Sequence, residues 1–203
     1  CHKVVKLSDT LQSFAPEKET TSNIHGVRSN FVHAATRSSD EREGIYFVGK
    51  LLWAKGLDLL LELQDYYKSY TGSYFGMDIY GCGPDEEAIQ RAFLGRGSVF
   101  ANSSCTTTTK APTATTILGR NITTTFPKSF LGRNITTTFP KSFAELRKTP
   151  IPVNFPGRVD HGELVNTKIF VNPSISEVLC TTTAEALAMG KFVIIPYHPS
   201  NTF

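Results

Sequence analysis

Short apolar runs punctuated by glycine and proline alternate with longer stretches in which leucines recur at helical spacing. Ile45 to Val48 and Ile169 to Val171 are runs of the first kind. Their length, their β-branched and aromatic content and the turn residues that follow them mark buried strands. Read this way, strands are expected near 45–49, 77–81, 153–156, 168–172 and 192–196. Leu57, Leu60, Leu61 and Leu63, with Tyr67 further along, form the stripe of a helix near 56–70. Further helical patterns lie at 84–93, near 161–165 and at 181–189. Strands that alternate with helices in this manner predict an α/β domain: a parallel, Rossmann-like sheet with helices on its faces.

The chemistry gathers where strands stop. After Ile169-Phe-Val171 the chain meets Asn172-Pro-Ser, crosses a loop of small residues and enters an Ala- and Leu-rich helix closed by Gly190. A strand, a loop and a helix N-terminus facing the strand's carboxyl end is where open α/β sheets hold phosphorylated ligands. Glu177 and Glu185 flank that entry with seven residues between them. In a continuous helix they would stand about 12 Å apart, roughly the span between two sugars joined by a diphosphate. One carboxylate can then accept hydrogen bonds from a transferable sugar and the other from a ribose. Amides of the first helical turn, near Thr181 to Thr183, can face the diphosphate between them. This is the pattern of a nucleotide-sugar site. Thr182-x-x-Glu185 also has the form of a capping box, and a carboxylate has enough acceptor positions for both tasks.

A second constellation, Gly49-Lys50-Leu-Leu-Trp-Ala-Lys55-Gly56, lies between the 45–49 strand and the helix after it. Two cations at a strand's carboxyl end suit a diphosphate leaving group, whose negative charge grows as the glycosidic bond breaks. Gly81-Cys-Gly-Pro84 imitates a dinucleotide fingerprint, but Glu86 stands where its third glycine belongs. It is read as a strand-to-helix turn, with nicotinamide binding set aside. His161 is read as a polar helix-entry residue.

Four ordered segments carry a resemblance: Tyr46-Phe-Val-Gly-Lys-Leu-Leu-Trp-Ala-Lys-Gly56, Asp78-Ile-Tyr-Gly-Cys-Gly-Pro-Asp85, Gly157-Arg-Val-Asp-His161, and Glu177 through Val193 followed by His198-Pro-Ser-Asn201. Together they resemble retaining glycosyltransferases built from two facing Rossmann domains (the GT-B architecture), and within these the digalactosyldiacylglycerol synthase family. That resemblance implies transfer of galactose from UDP-galactose to the galactolipid acceptor monogalactosyldiacylglycerol at the plastid outer envelope. Membrane association would be peripheral, through regions outside this chain, with no cofactor and no metal. It implies that Glu177 binds the galactose, Glu185 the ribose, and Lys50 with Lys55 the diphosphate. It further places Gly49, Val178, Leu179, Cys180 and Thr181 along the donor, and Arg158 and Val159 beside the uracil. Residues 1–30 would be the tail of an acceptor-binding domain and the crossing from it, and 31–203 the donor-binding domain. Alternatives left open are another retaining nucleotide-sugar glycosyltransferase and a catalytically dead nucleotide-binding chain.

Composition bounds these readings. The chain has 203 residues, 40% hydrophobic and 19% charged, which suits one domain with a real core. A net charge of +3 without a basic, aromatic-interleaved cluster gives no reason to expect nucleic acid. Cys1, Cys82, Cys105 and Cys180 have neither metal-ligand nor disulfide spacing, as befits a reducing compartment. No apolar run approaches the roughly 20 residues that span a bilayer. One stretch is anomalous: Leu118-Gly-Arg-Asn-Ile-Thr-Thr-Thr-Phe-Pro-Lys-Ser-Phe130 recurs unchanged as 131–143, after a Thr- and Ser-rich segment. Phe93-Leu-Gly-Arg96 also recurs as Phe130-Leu-Gly-Arg133, so residues 97–133 read as an inserted duplication, disordered and dispensable.

Overall fold

The computed structural model describes residues 3–7, 11, 13, 15–22, 26–37, 41–95, 150–175, 177, 179–198 and 201. The duplicated stretch, and with it the expected disorder of 97–133, lies outside the described residues, as does Val178.

Five strands form one wholly parallel sheet: β3 (Glu43–Val48), β4 (Met77–Tyr80), β5 (Val153–Gly157), β6 (Thr167–Val171) and β7 (Phe192–Ile194), in the order β5-β4-β3-β6-β7. The expected α/β, Rossmann-like class is what is seen. All five expected strands are present, with β7 ending two residues early. A separate parallel pair, β1 (Val4–Lys6) with β2 (Glu19–Thr21), precedes them. Sequence patterning missed that pair, because Val-Val-Lys and Glu-Thr-Thr contain no continuous apolar run.

Successive side chains of a strand point to opposite faces, and the two cores show it directly. Phe47 and Val171 enter the core beneath α2 (Leu57–Thr71) and α3 (Glu86–Leu94), with Leu57, Leu60, Ile79, Ile89 and Phe93. Their neighbours Tyr46 and Phe170 enter the opposite core, with Ala186 of α4 (Thr181–Ala188) and Leu164. On this second side α1 (Ser29–Arg37) lays Phe31 and Ala34 against Met189. Each large side chain buried in this way stabilises the fold by about 1.5–3 kcal/mol.

Helices α2 and α3 end at glycines. Gly72 at φ +87° closes α2 with its N–H on Lys68 O. Buried Gln64 then ties α2 to the approach of β4, donating to Phe75 O at 2.9 Å and accepting from Phe75 N at 3.2 Å. Two expectations are corrected. The helix expected near 161–165 is a single 3-10 turn, His161–Glu163, capped by Asp160, whose Oδ1 accepts from Gly162 N. The capping box is not formed either: α4 starts at Thr181, so Thr182 is already inside the first turn and Glu185 turns elsewhere. α1 was not anticipated, since only two of its residues are buried apolar anchors.

This strand order places the site. The chain runs outward from β3 to β4 and β5, then returns to the other side of β3 with β6 and β7. The order therefore reverses between β3 and β6, and the crevice at their carboxyl ends is where ligands bind in open α/β sheets.

Candidate functional site

The loop after β3 is held from below. Gly49 N donates to Tyr80 O at 3.1 Å, Leu51 N to Cys82 O at 3.0 Å, and Gly81 N to Gly157 O at 2.8 Å, stitching together the turns after β3, β4 and β5. A Cβ on Gly81 would sit 1.8 Å from Gly49 O, and one on Gly83 2.2 Å from Leu51 O. The glycines that imitate a dinucleotide fingerprint are therefore needed for backbone to approach backbone. Asp85 completes the support, its Oδ2 accepting from Trp53 N at 3.0 Å at the start of the 3-10 turn Trp53–Lys55. Gly56 follows at φ +77°, and a Cβ there would meet Pro173 O at 2.2 Å. The loops after β3 and β6 are thus in direct backbone contact across the crevice.

Lys55 and Glu177 meet above that contact. Nζ stands 2.8 Å from Oε1, with 34% of the lysine side chain and 15% of the glutamate side chain exposed. The sequence reading gave these residues different parts of one ligand; in the structure they pair with each other. Lys50 is exposed on the same loop. Glu177 and Lys55 also bear on Cys180, whose thiol is pushed up to about 11 by burial first and by the Glu177 charge second, against an opposing pull from Lys55. Both therefore lie beside the N-terminus of α4.

At that N-terminus the Cys180 thiol is buried and donates to Asn201 Oδ1 at 3.1 Å, so its side chain faces inward. Thr181 N donates to Leu179 O at 2.9 Å. Of the amides expected to face a diphosphate, Thr181's is taken; among the described residues no bond is seen for those of Thr182 and Thr183. Asn172 Nδ2 donates to the Thr183 hydroxyl at 3.0 Å, fixing the end of β6 to the helix. Asn201, which sequence reasoning quoted but gave no role, also donates to Ser174 O at 3.1 Å and Pro196 O at 3.0 Å. It joins the loops after β6 and β7. Its pairing across the chain left no local signal to find.

Glu185 lies one turn into α4, and its Oε2 stands 2.8 Å from His161 Nδ1. The other ring nitrogen, Nε2, is 2.9 Å from the Tyr46 hydroxyl. His161 opens the 3-10 turn, in keeping with a helix-entry residue, but it is also a buried member of a network that the sequence did not show. Burial lowers its pKa, opposed by its bond to Glu185. Lys191 lies buried nearby, its ammonium donating to the carbonyls of Leu164 and Thr167 and to the Thr167 hydroxyl; burial and then Arg42 pull it down to about 8. Arg158 is exposed, while Val159 is half-buried against the Tyr46 and Phe170 cluster.

Comparison with known proteins agrees with the motifs. No family model matches the chain. Digalactosyldiacylglycerol synthase 1, chloroplastic, of Arabidopsis thaliana is 33% identical over 213 aligned residues, taking in all of this chain and 19% of the relative. The chain is similar throughout to digalactosyldiacylglycerol synthases. The synthase 1 of Glycine max is 32% identical, across all of this chain and 20% of its own length. Digalactosyldiacylglycerol synthase 2, chloroplastic, of Arabidopsis thaliana is 30% identical, across all of this chain and 33% of its own length. The chain thus spans a fifth to a third of the length of these synthases.

Proposed function

We propose that this chain holds the nucleotide-sugar donor of a plastid galactosyltransferase, which transfers galactose from UDP-galactose to monogalactosyldiacylglycerol with retention of configuration. The observation that carries the reading is the Lys55–Glu177 pair, seated where strand order reverses and beside the first turn of α4. Similarity to digalactosyldiacylglycerol synthases along the whole chain supports the donor and acceptor classes. Among the described residues no helix is long and apolar enough to cross a membrane. Contact with the lipid acceptor is assigned, from the resemblance, to peripheral association through regions outside this chain.

In this reading Glu185 accepts from the ribose hydroxyls and Glu177 from the galactose. Lys55 and Lys50 face the diphosphate, with the amides of Thr182 and Thr183 adding positive ends of peptide dipoles. When the bond between galactose and diphosphate breaks, negative charge grows on the departing UDP. Fixed cations at that point lower the barrier without a metal ion. The acceptor hydroxyl then attacks the same face of the sugar that UDP leaves.

Calorimetric titration of UDP and UDP-galactose into the chain tests the donor assignment. Glu185→Gln is expected to weaken both ligands by roughly tenfold to a hundredfold, the effect of losing a charged hydrogen bond. Unchanged affinity for both would overturn it. Transfer is tested in a protein that joins this chain to an acceptor-binding domain, with the anomeric configuration of the galactolipid product read by proton NMR.

A further inference from the structure

The two contacts of the His161 ring fix which group donates at each. Ionised Glu185 can only accept, so the 2.8 Å contact makes Nδ1 the donor. Burial keeps the imidazole neutral, which leaves Nε2 as an acceptor. The Tyr46 hydroxyl, 2.9 Å away, must then donate. Burial, foremost, raises the Tyr46 pKa and keeps that proton in place. The protons run in one direction, from Tyr46 on β3 through His161 to the carboxylate on α4.

The ring has no freedom to leave this arrangement. Phe31, Tyr46 and Phe170 surround it with centroids 5.8, 5.7 and 5.5 Å away. The charged and titratable groups bearing on it are Tyr46 from β3, Glu185 from α4, Lys191 beyond α4, and Asp160 beside it in the chain. Only Glu185 reaches solvent through this network: its side chain is 22% exposed, against 6% for His161. A glutamate on a helix surface otherwise samples many rotamers, and fixing it on binding would cost side-chain entropy. Here Oε2 is already held, and among the described residues no hydrogen bond engages Oε1.

We propose that His161, anchored by Tyr46, is a positioning residue that aims the Glu185 carboxylate at the ribose hydroxyls of a uridine nucleotide. This rests on the assignment of Glu185 to ribose. It adds that ribose recognition is built in advance by two buried residues that never touch the ligand. A histidine serving only the core would stabilise the domain without telling one ligand from another.

The experiment compares UDP, 2′,3′-dideoxy-UDP and inorganic pyrophosphate binding to the chain, by calorimetry, in wild type, His161→Phe and Tyr46→Phe. Wild type is expected to prefer UDP over dideoxy-UDP. His161→Phe keeps a ring of similar size and is expected to weaken UDP about fivefold to tenfold, leaving dideoxy-UDP and pyrophosphate unchanged. Tyr46→Phe removes only the far hydroxyl and is the second variant should the first fail to fold. It is expected to weaken UDP about twofold to threefold, again with the other two ligands unaffected. If wild type does not distinguish UDP from dideoxy-UDP, the ribose assignment fails and the proposal falls with it. If wild type distinguishes them but the folded variants bind UDP as tightly as wild type, or lose all three ligands equally, the positioning role alone is overturned.

Discussion

Lys55 and Glu177 neutralise each other at 2.8 Å, and any diphosphate entering the crevice must compete for that ammonium. Partial exposure keeps the pair from being worth much to stability, since exposed ion pairs contribute about 0–1 kcal/mol. Its consequence lies in binding. Glu177→Gln keeps the shape of the side chain but releases the full lysine charge to the ligand. UDP affinity is therefore expected to be unchanged or raised, up to about tenfold, whereas galactose transfer in a longer protein carrying this chain falls. Lys55→Ala should lower both. Calorimetry with UDP beside transfer rates checks this, and a tenfold loss of UDP affinity in Glu177→Gln would reverse the roles given to the two glutamates.

Two turns show how elements depend on single backbone positions. Gly56 and Gly72 both have φ in the left-handed region, at +77° and +87°, but only Gly56 faces a neighbour that a Cβ would strike, Pro173 O at 2.2 Å. Nothing lies within 4 Å of the corresponding point on Gly72. An alanine at either position meets the left-handed penalty of about 1–2 kcal/mol. Only at Gly56 must the loops after β3 and β6 also move apart. Gly72→Ala is thus expected to lower the melting temperature by about 2–8 °C with UDP affinity intact. Gly56→Ala should lower it further and weaken UDP. Thermal melts beside UDP titrations decide this, and equal effects of the two variants would mean that the loop contact does not shape the site.

For the molecule as a whole, the ends of the undescribed stretch already meet. Ile151 N donates to Phe93 O at 2.9 Å, and Phe93 also packs edge-on against Phe155 of β5. Those contacts close the path from α3 to β5 without residues 97–133. Removing these shortens the connection between Phe93 and Ile151 to about a third, which lowers the entropy of closing it by about 1 kcal/mol. The shortened chain is expected to melt at the same temperature as wild type or a few degrees higher, with UDP affinity unchanged. Loss of cooperative melting would show that the duplicated segment supports the fold.

The chain's local pattern determined the five strands of the main sheet and, among the described residues, three of the four α-helices and the loops of the candidate site, because burial against two faces imprints short apolar runs and a leucine stripe directly on neighbouring residues. Lys50, Lys55 and Glu177 drew attention because they stand in loops after strands, and Glu185 because it lies one turn into the helix that follows; the parts proposed for them came from the resemblance. Tertiary structure decided how they pair. Lys55 meets Glu177 only because β6 returns beside β3, and Glu185 meets His161 only because α4 crosses the 3-10 turn before β6. His161, Tyr46 and Asn201 are polar groups whose partners lie far away in sequence, and a buried polar group takes its meaning from its hydrogen bonds. No periodicity records those bonds, so only the folded chain shows that His161 is joined to Glu185 and that Asn201 ties two loops to a helix.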